Sequence, residues 1–490
     1  MNLGSQRGMA IMVQGCTSDA GKSLISTALC RYLSNQGIRV APFKAQNMSN
    51  NSRVVAGGEI GTAQWLQAKA ARVEPTVQMN PVLLKPQSDT KSQFILHGKF
   101  DKEFTEMPWK SRSAKVWPQI QASLDYLLDN YEVVVIEGAG SPAETNLFDS
   151  DFVNMRVAQA AHAKVLLVVD IDRGGAFAHL YGTYQLLPPK WQQLITGFLL
   201  NKFRGDPELL HPAPQDLESL TGVPTVGVVP KFAHDLPNEE GPSIHIATRA
   251  ETGRKVQIVC GPYSSNLDEF ALLQQSARVS WIRQANEFDS PDLLILPGSK
   301  NSVADLAWMR SIGIDSEIKK LAEQGVPILG ICGGMQILGN EIVDEEGIES
   351  PIPVPGLGLL NLKTNFAADK EVRKTTIKFP HMAAPWQWLS ETEVDGYEIH
   401  FGESTSDTLK PVLENGLAYA EGNILGTYVH GLFENDLLLK RLSPDSSFNL
   451  DSTLDLVSEQ VIKNINPVWL EEFIPLLKGR RQNDPTAAGI

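Results

Sequence analysis

Cysteine is scarce in this sequence. Its 490 residues hold Cys16, Cys30, Cys260 and Cys332, widely scattered and with no CxxC pair. That excludes a disulfide framework and a structural zinc site, and it suits a reducing cytoplasm. Positive charge is also in deficit, with 43 Lys and Arg against 57 Asp and Glu and a net charge of -14. A phosphate backbone needs a basic face, so nucleic acid is not expected as a partner, although a few local cations suffice for a small anion. Long apolar runs are missing too. The stretch VLLVV at 165–169 is strand-sized and ends at a charge, so no bilayer-spanning segment is expected. The opening MNLGSQRGMA lacks the apolar core of a signal peptide. The expectation is therefore a cytoplasmic protein with no membrane association. Internal repeats and low-complexity tracts are absent as well. What remains is an ordinary globular balance, 42% hydrophobic and 20% charged, in a chain long enough for roughly two to four domains.

Short apolar runs alternate with amphipathic stretches through the first part of the chain. AIMVQG (10–15), RVAPFKA (39–45), EVVVIEG (132–138), KVLLVVDID (164–172), LITGFLLNKF (194–203) and PTVGVVP (224–230) read as strands. They are continuous rather than alternating, as strands buried on both faces are. Residues 22–35 carry helical spacing between the first two. This is the rhythm of a doubly wound α/β sheet. A polar, turn-rich stretch follows, and a second α/β series begins with KVQIVCGPY (255–263), DLLILPG (292–298), PILGICGG (327–334) and GTYVHG (426–431). Residues 344–425 look more β-like. The expected organisation is two doubly wound α/β domains. A P-loop domain spans 1–235, a linker 236–252, a second domain 253–445, and a helical extension with a polar tail 446–490.

Gly15-Cys-Thr-Ser-Asp-Ala-Gly21-Lys22-Ser23 lies between a predicted strand and a predicted helix. In that context the loop amides and helix N-terminus cradle phosphate. Gly15, Thr17 and Gly21 shape the loop, Lys22 faces the terminal phosphates of ATP, and the Ser23 hydroxyl faces Mg²⁺. The spacing is one residue longer than the common GxxxxGK[ST]. Glu137 ends a parallel strand, where ligands bind in such sheets, and is the second candidate metal ligand. Asn201 ends another strand and is a candidate contact for the nucleotide base. No tightly bound cofactor is expected.

Gly330-Ile331-Cys332-Gly333-Gly334 turns from strand to helix. Such an elbow lifts a thiol out of the sheet to a helix N-terminus, where thiolate is favoured. His430 closes a later strand and is the candidate base. The N–H groups of Gly298 and Gly333 are candidate oxyanion donors. These parts suit thiolate attack on an amide, with a thioester intermediate and ammonia as product. A partitioning or regulatory P-loop ATPase with a fused binding domain shares the loop and the acidic strand end, but has no use for the thiol elbow.

The C-terminal half resembles class I glutamine amidotransferases through ILGICGGMQILG and the downstream YVHG. The N-terminal half resembles dethiobiotin synthetase-like P-loop ligases, which share the longer loop. Joined in this order, the halves look like the cobyrinic acid amidating enzymes. PFKAQNMSNNS (42–52), EGAGSPAETNL (137–147), VVDIDRGGAFA (168–178), NKFRGD (201–206), LPGSKNS (296–302) and GYEIHFGES (396–404) look like the cobyric acid branch, and the resemblance runs over roughly residues 8–440. It implies ATP- and glutamine-dependent amidation of the b, d, e and g carboxylates of adenosylcobyrinic acid a,c-diamide, another polycarboxylate being the rival substrate. Glutamine and a corrinoid would be the partners, and ammonia would cross between the domains. Two departures stand out. The glutamate that usually follows the histidine by two residues is replaced by Leu432, with Glu434 nearby, so a Cys–His dyad is expected. The aspartate-bearing segment of the a,c-diamide-forming relatives is replaced by one with Lys44, Gln46 and Asn47.

Overall fold

The computed structural model describes residues 7–88, 91–236, 250, 253–345, 347–442 and 449–472. The predicted linker, apart from Leu236 and Ala250, and the polar tail lie outside these residues. Among the described residues no helix is long and apolar enough to cross a membrane.

The first sheet has six parallel strands: β1 (Met9–Gly15), β2 (Val40–Phe43), β3 (Val133–Glu137), β4 (Lys164–Asp170), β5 (Ile195–Phe203) and β6 (Thr225–Pro230). Their spatial order is β6-β5-β4-β1-β3-β2. The apolar runs are buried on both faces, as their continuity predicts. Successive side chains point to opposite sides. Ile11 and Val13 therefore enter one core with Val133, Val135, Leu166 and Val168, while Ala10 and Met12 enter the other with Val134, Ile136, Val165 and Leu167. From β1 the chain first crosses to β2 and β3 on one side, then to β4, β5 and β6 on the other. The carboxyl end of β1 is thus where the winding reverses, the position at which such sheets bind ligands.

The connection from β2 to β3 is long. It carries a small sheet (Gln46–Met48, Val82–Ser88, Lys91–Leu96, Lys99–Phe100) and a hairpin (Ser52–Val55, Gly58–Gly61). It ends in the helix Trp109–Asn130.

The second domain is built on β7 (Lys255–Val259), β8 (Arg278–Ile282), β9 (Leu293–Leu296), β10 (Ile328–Ile331), β11 (Ala418–Glu421) and β12 (Ile424–Thr427), in the order β8-β7-β9-β10-β12-β11. All pairs are parallel except the edge strand β11. The β-like stretch forms a four-stranded sheet dominated by the antiparallel pair Lys363–Lys378 and Glu393–Thr405.

The C-terminal segment packs back on the first domain. Helix α1 (Lys22–Asn35) lies beside α2 (Leu450–Ile462), and Leu454, Val457, Val461, Ile465 and Trp469 share the core of Ile25 and Leu29. The fully buried Arg31 guanidinium grips Asp455 with Nε and Nη2, at 2.7 and 2.9 Å, and its Nη1 meets Asp451 at 2.8 Å. Asn466 N–H donates to Val226 O at 2.6 Å. Residues 449–472 of the expected extension therefore belong structurally with residues 7–236.

Candidate active sites

The phosphate loop follows β1 and opens α1, as its sequence context requires. Gly21 sits at φ +97°, and a Cβ there would lie 2.1 Å from Asn201 Nδ2. The position therefore demands glycine on two counts. Asn201 explains the crowding. Its buried amide donates to Ala20 O at 2.8 Å. Through that bond the side chain braces the loop from beneath, a role the sequence motif does not assign it. Lys202 and Asp170 brace it further, with Lys202 Nζ 2.6 Å from Asp19 O and 3.0 Å from Asp170 Oδ2. Lys22 folds over the loop, its Nζ 3.3 Å from Thr17 O and 3.4 Å from Gly140 O.

Ser23 Oγ donates to Glu137 Oε1 at 2.8 Å, so the two expected metal ligands are adjacent. Among the described residues no three His, Cys, Asp or Glu side chains converge on a metal position. A hydroxyl beside one carboxylate fits Mg²⁺, which keeps waters and takes the rest of its shell from phosphate. Two neighbours of Glu137 escaped the motif reading. Lys44 Nζ meets Oε1 at 2.9 Å and Gln67 Nε2 meets Oε2 at 2.5 Å. With Glu137 1% exposed, the Lys44 ammonium offsets a charge that would otherwise be buried unpaired.

In the second domain Cys332 stands between β10 and the short helix Gly333–Leu338 at φ 52°, ψ −110°. A non-glycine residue with positive φ is strained and is held there by its surroundings. Its Sγ donates to Ile399 O at 3.4 Å and lies near enough to His430 to influence the imidazole's charge. His430 lies just past β12, which ends at Thr427, and not within the predicted strand. Its backbone exchanges hydrogen bonds with Tyr397, and the Tyr397 ring stacks on the imidazole at 5.2 Å and 8°. Gly298 lies against the same ring, since a Cβ there would come 2.9 Å from His430 Cε1. Gly333 follows the thiol directly. All four residues expected from sequence are therefore brought together.

The expected dyad has a third member. Glu269 Oε1 bonds His430 Nδ1 at 2.9 Å, and its Oε2 accepts Gly431 N–H at 2.9 Å. This carboxylate is fully buried and lies on the loop after β7, 161 residues from the histidine. Leu432 is buried in the core, and Glu434 pairs with Arg53 instead. Burial opposes a charged imidazole, but Glu269 and then Cys332 outweigh it and raise His430 to about 9. Near neutral pH the ring is thus held as imidazolium beside the thiol. That arrangement sets a proton donor beside the nucleophile, able to protonate a leaving amine.

Residues 11–241 match the CobQ/CobB/MinD/ParA nucleotide binding domain, and residues 255–438 match the CobB/CobQ-like glutamine amidotransferase domain. A phosphate loop joined in one chain to an amidotransferase domain defines a glutamine-hydrolysing carbon–nitrogen ligase. Over 476 residues the chain is 51% identical to the cobyric acid synthase of Variovorax paradoxus, covering 95% of this chain and 99% of that one. It is 50% identical over 472 residues to that of Deinococcus radiodurans, covering 92% and 97%. The chain belongs to the cobyric acid synthase family.

Proposed function

We propose that the chain amidates the b, d, e and g carboxylates of adenosylcobyrinic acid a,c-diamide, using ATP, Mg²⁺ and glutamine in the cytoplasm. The Cys332 thiolate attacks the γ-amide carbon of glutamine, and the backbone N–H groups of Gly298 and Gly333 receive the developing oxyanion. The C–N bond breaks as His430 protonates the leaving nitrogen, giving ammonia and a thioester. Water then releases glutamate and restores the thiol. Glu269 holds the imidazole in the orientation this needs. In the other domain a corrin side-chain carboxylate takes the γ-phosphoryl group of ATP beside Lys22, the bond to the β-phosphate oxygen breaks, and ADP leaves. Ammonia attacks the acyl phosphate, phosphate leaves, and the amide nitrogen sheds a proton. Ser23 and Glu137 would hold the Mg²⁺ that offsets phosphate charge. Because ammonium carries no lone pair, the nitrogen has to pass between the domains before it takes up a solvent proton.

The observation that carries this reading is the strained Cys332 elbow facing a His430 backed by Glu269. Cys332→Ala should abolish glutamine-dependent amidation and keep amidation from high ammonium, whereas Lys22→Ala should remove both. Glutamine use surviving in Cys332→Ala would sink the assignment of the thiol. Incubation with the a,c-diamide followed by product mass identifies the substrate. An unchanged mass, with another polycarboxylate amidated, would redirect it.

A further inference from the structure

The N-terminal domain inserts a charged side chain into the supports of His430. Arg53, on the first strand of the Ser52–Val55 hairpin, is almost fully buried. Its Nη2 pairs with Asp268 and Glu434, and its Nη1 donates to Tyr397 Oη at 2.9 Å. The guanidinium lies 5.4 Å from the ring centres of both Trp65 and Tyr397. Each contact on the far side touches something that holds the histidine. Asp268 precedes Glu269 in the chain, Tyr397 stacks on the imidazole, and Glu434 follows His430 on the same loop. The backbone is pinned as well, with Ser52 N–H donating to Asn266 Oδ1 at 3.1 Å and Leu267 N–H to Asn51 Oδ1 at 3.3 Å.

The other end of this segment reaches the nucleotide site. Lys44 holds Glu137, Gln46–Met48 pairs with the strand at Val82, and Ser49 N–H donates to Leu84 O at 3.0 Å. Residues 44–53 therefore run from the carboxylate beside the phosphate loop to the carboxylate pair behind His430. That is at most about 32 Å of chain. Phosphate arriving beside Lys22 and Ser23 brings negative charge up to the Glu137–Lys44 pair, which Ser23 Oγ already touches through Glu137 Oε1. A shift there is passed along a segment anchored at both ends, and the planar Arg53 fork converts it into a change at Tyr397 and Asp268.

We propose that Arg53 is a positioning residue of the thiol centre supplied by the nucleotide-binding domain, and that segment 44–53 makes the geometry of His430 depend on occupancy of the phosphate loop. This rests on the reading of Cys332 and His430 as the glutaminase centre.

The test uses the full chain and compares wild type with Arg53→Ala, Arg53→Lys and Tyr397→Phe. Glutamate release is measured with and without ATP and the corrinoid diamide, alongside amidation from ammonium. In wild type, ATP and corrinoid raise glutamate release. In Arg53→Ala that rise is lost and kcat falls about tenfold to a hundredfold, the loss expected from charged hydrogen bonds. KM for glutamine and ammonia-dependent amidation stay within about twofold, as for sites that do not share partners. Arg53→Lys recovers part of the response, and Tyr397→Phe, which keeps the stacked ring, loses part of it. An unchanged ATP response in Arg53→Ala overturns the proposal, as does a parallel loss of ammonia-dependent amidation or an effect confined to KM. Should Arg53→Ala fail to fold, a wild-type response in Tyr397→Phe overturns it. Glutamate release surviving in Cys332→Ala would instead sink the reading of the thiol, whatever the Arg53 variants do.

Discussion

Replacing Glu269 by Gln keeps the shape of the buried side chain and removes its charge. His430 stands at about 9 in the folded protein, against an ordinary 6.5. That gap of about 2.5 units corresponds to about 3 kcal/mol favouring the imidazolium. Burial works against the charge, so the attraction from Glu269 and Cys332 together exceeds this net figure, and Glu269 is the larger contributor. Without the carboxylate, burial should dominate and His430 should fall to or below its ordinary value. The imidazolium that protonates the leaving nitrogen is then scarce at neutral pH. A loss of about a hundredfold in glutaminase kcat is expected, since each 1.4 kcal/mol is a tenfold change. Glutamate release by a coupled assay reads this, with ammonia-dependent amidation as the internal control. The pH dependence of stability follows from the same pair. A raised histidine stabilises the fold fully below about 6.5, and that contribution is lost as pH rises through about 9. Urea midpoints of wild type and Glu269→Gln should therefore differ most at or below pH 6.5 and converge above pH 9. A variant that hydrolyses glutamine at the wild-type rate, or whose stability gap widens with pH, would refute the reasoning.

Two further substitutions probe other contacts. Gly298→Ala places a methyl group 2.9 Å from His430 Cε1, forcing the ring aside. Glutaminase kcat should drop about tenfold, because sub-ångström misplacement of a catalytic group is costly, while ammonium-driven amidation is spared. Asp455→Asn removes charge opposite the buried Arg31 guanidinium. Asp455 is half exposed, so solvent screens the pair and the loss should be about 1–2 kcal/mol, seen as a lower thermal midpoint. Arg31 holds this carboxyl down at about 2. Its contribution is present above about pH 4 and disappears as pH falls through about 2, where the two proteins should melt together.

The sheets and both reactive loops were legible because each is written in contiguous residues. β1 with Gly15–Ser23 is a single run, and so is β10 with Cys332. The edge strands of the second sheet were not. β8 alternates exposed and half-buried residues and carries no apolar run, while β11 pairs on one side only. Glu269 was invisible for another reason. The usual place for an orienting carboxylate is two residues past the histidine, and Leu432 fills it. The substitute comes from a separate loop, so its role exists only once β7 and β12 lie in one sheet. Arg53 and Lys44 are hidden in the same way, since their partners sit on other elements and no spacing rule links them. Asn201 was legible in part. Its place near the end of a strand was read from the run of apolar residues, but the bond from its amide to Ala20 O depends on packing that sequence does not display.

The return of residues 449–472 to the first sheet bears on how the molecule is made. Leu454, Val457, Val461 and Trp469 complete a core begun by Ile11, Ile25 and Leu29, yet the ribosome adds them only after the whole of the second sheet. Synthesis of the intervening chain takes roughly 10–40 s at typical elongation rates. Through that interval the nascent first domain presents an unfilled apolar groove along α1, and by its end the amidotransferase domain has gained the last strand of its sheet, before α2 is made. The second domain to be synthesised can thus be the first to finish folding. A chain cut short before α2 would carry an intact thiol centre beside an incomplete nucleotide domain.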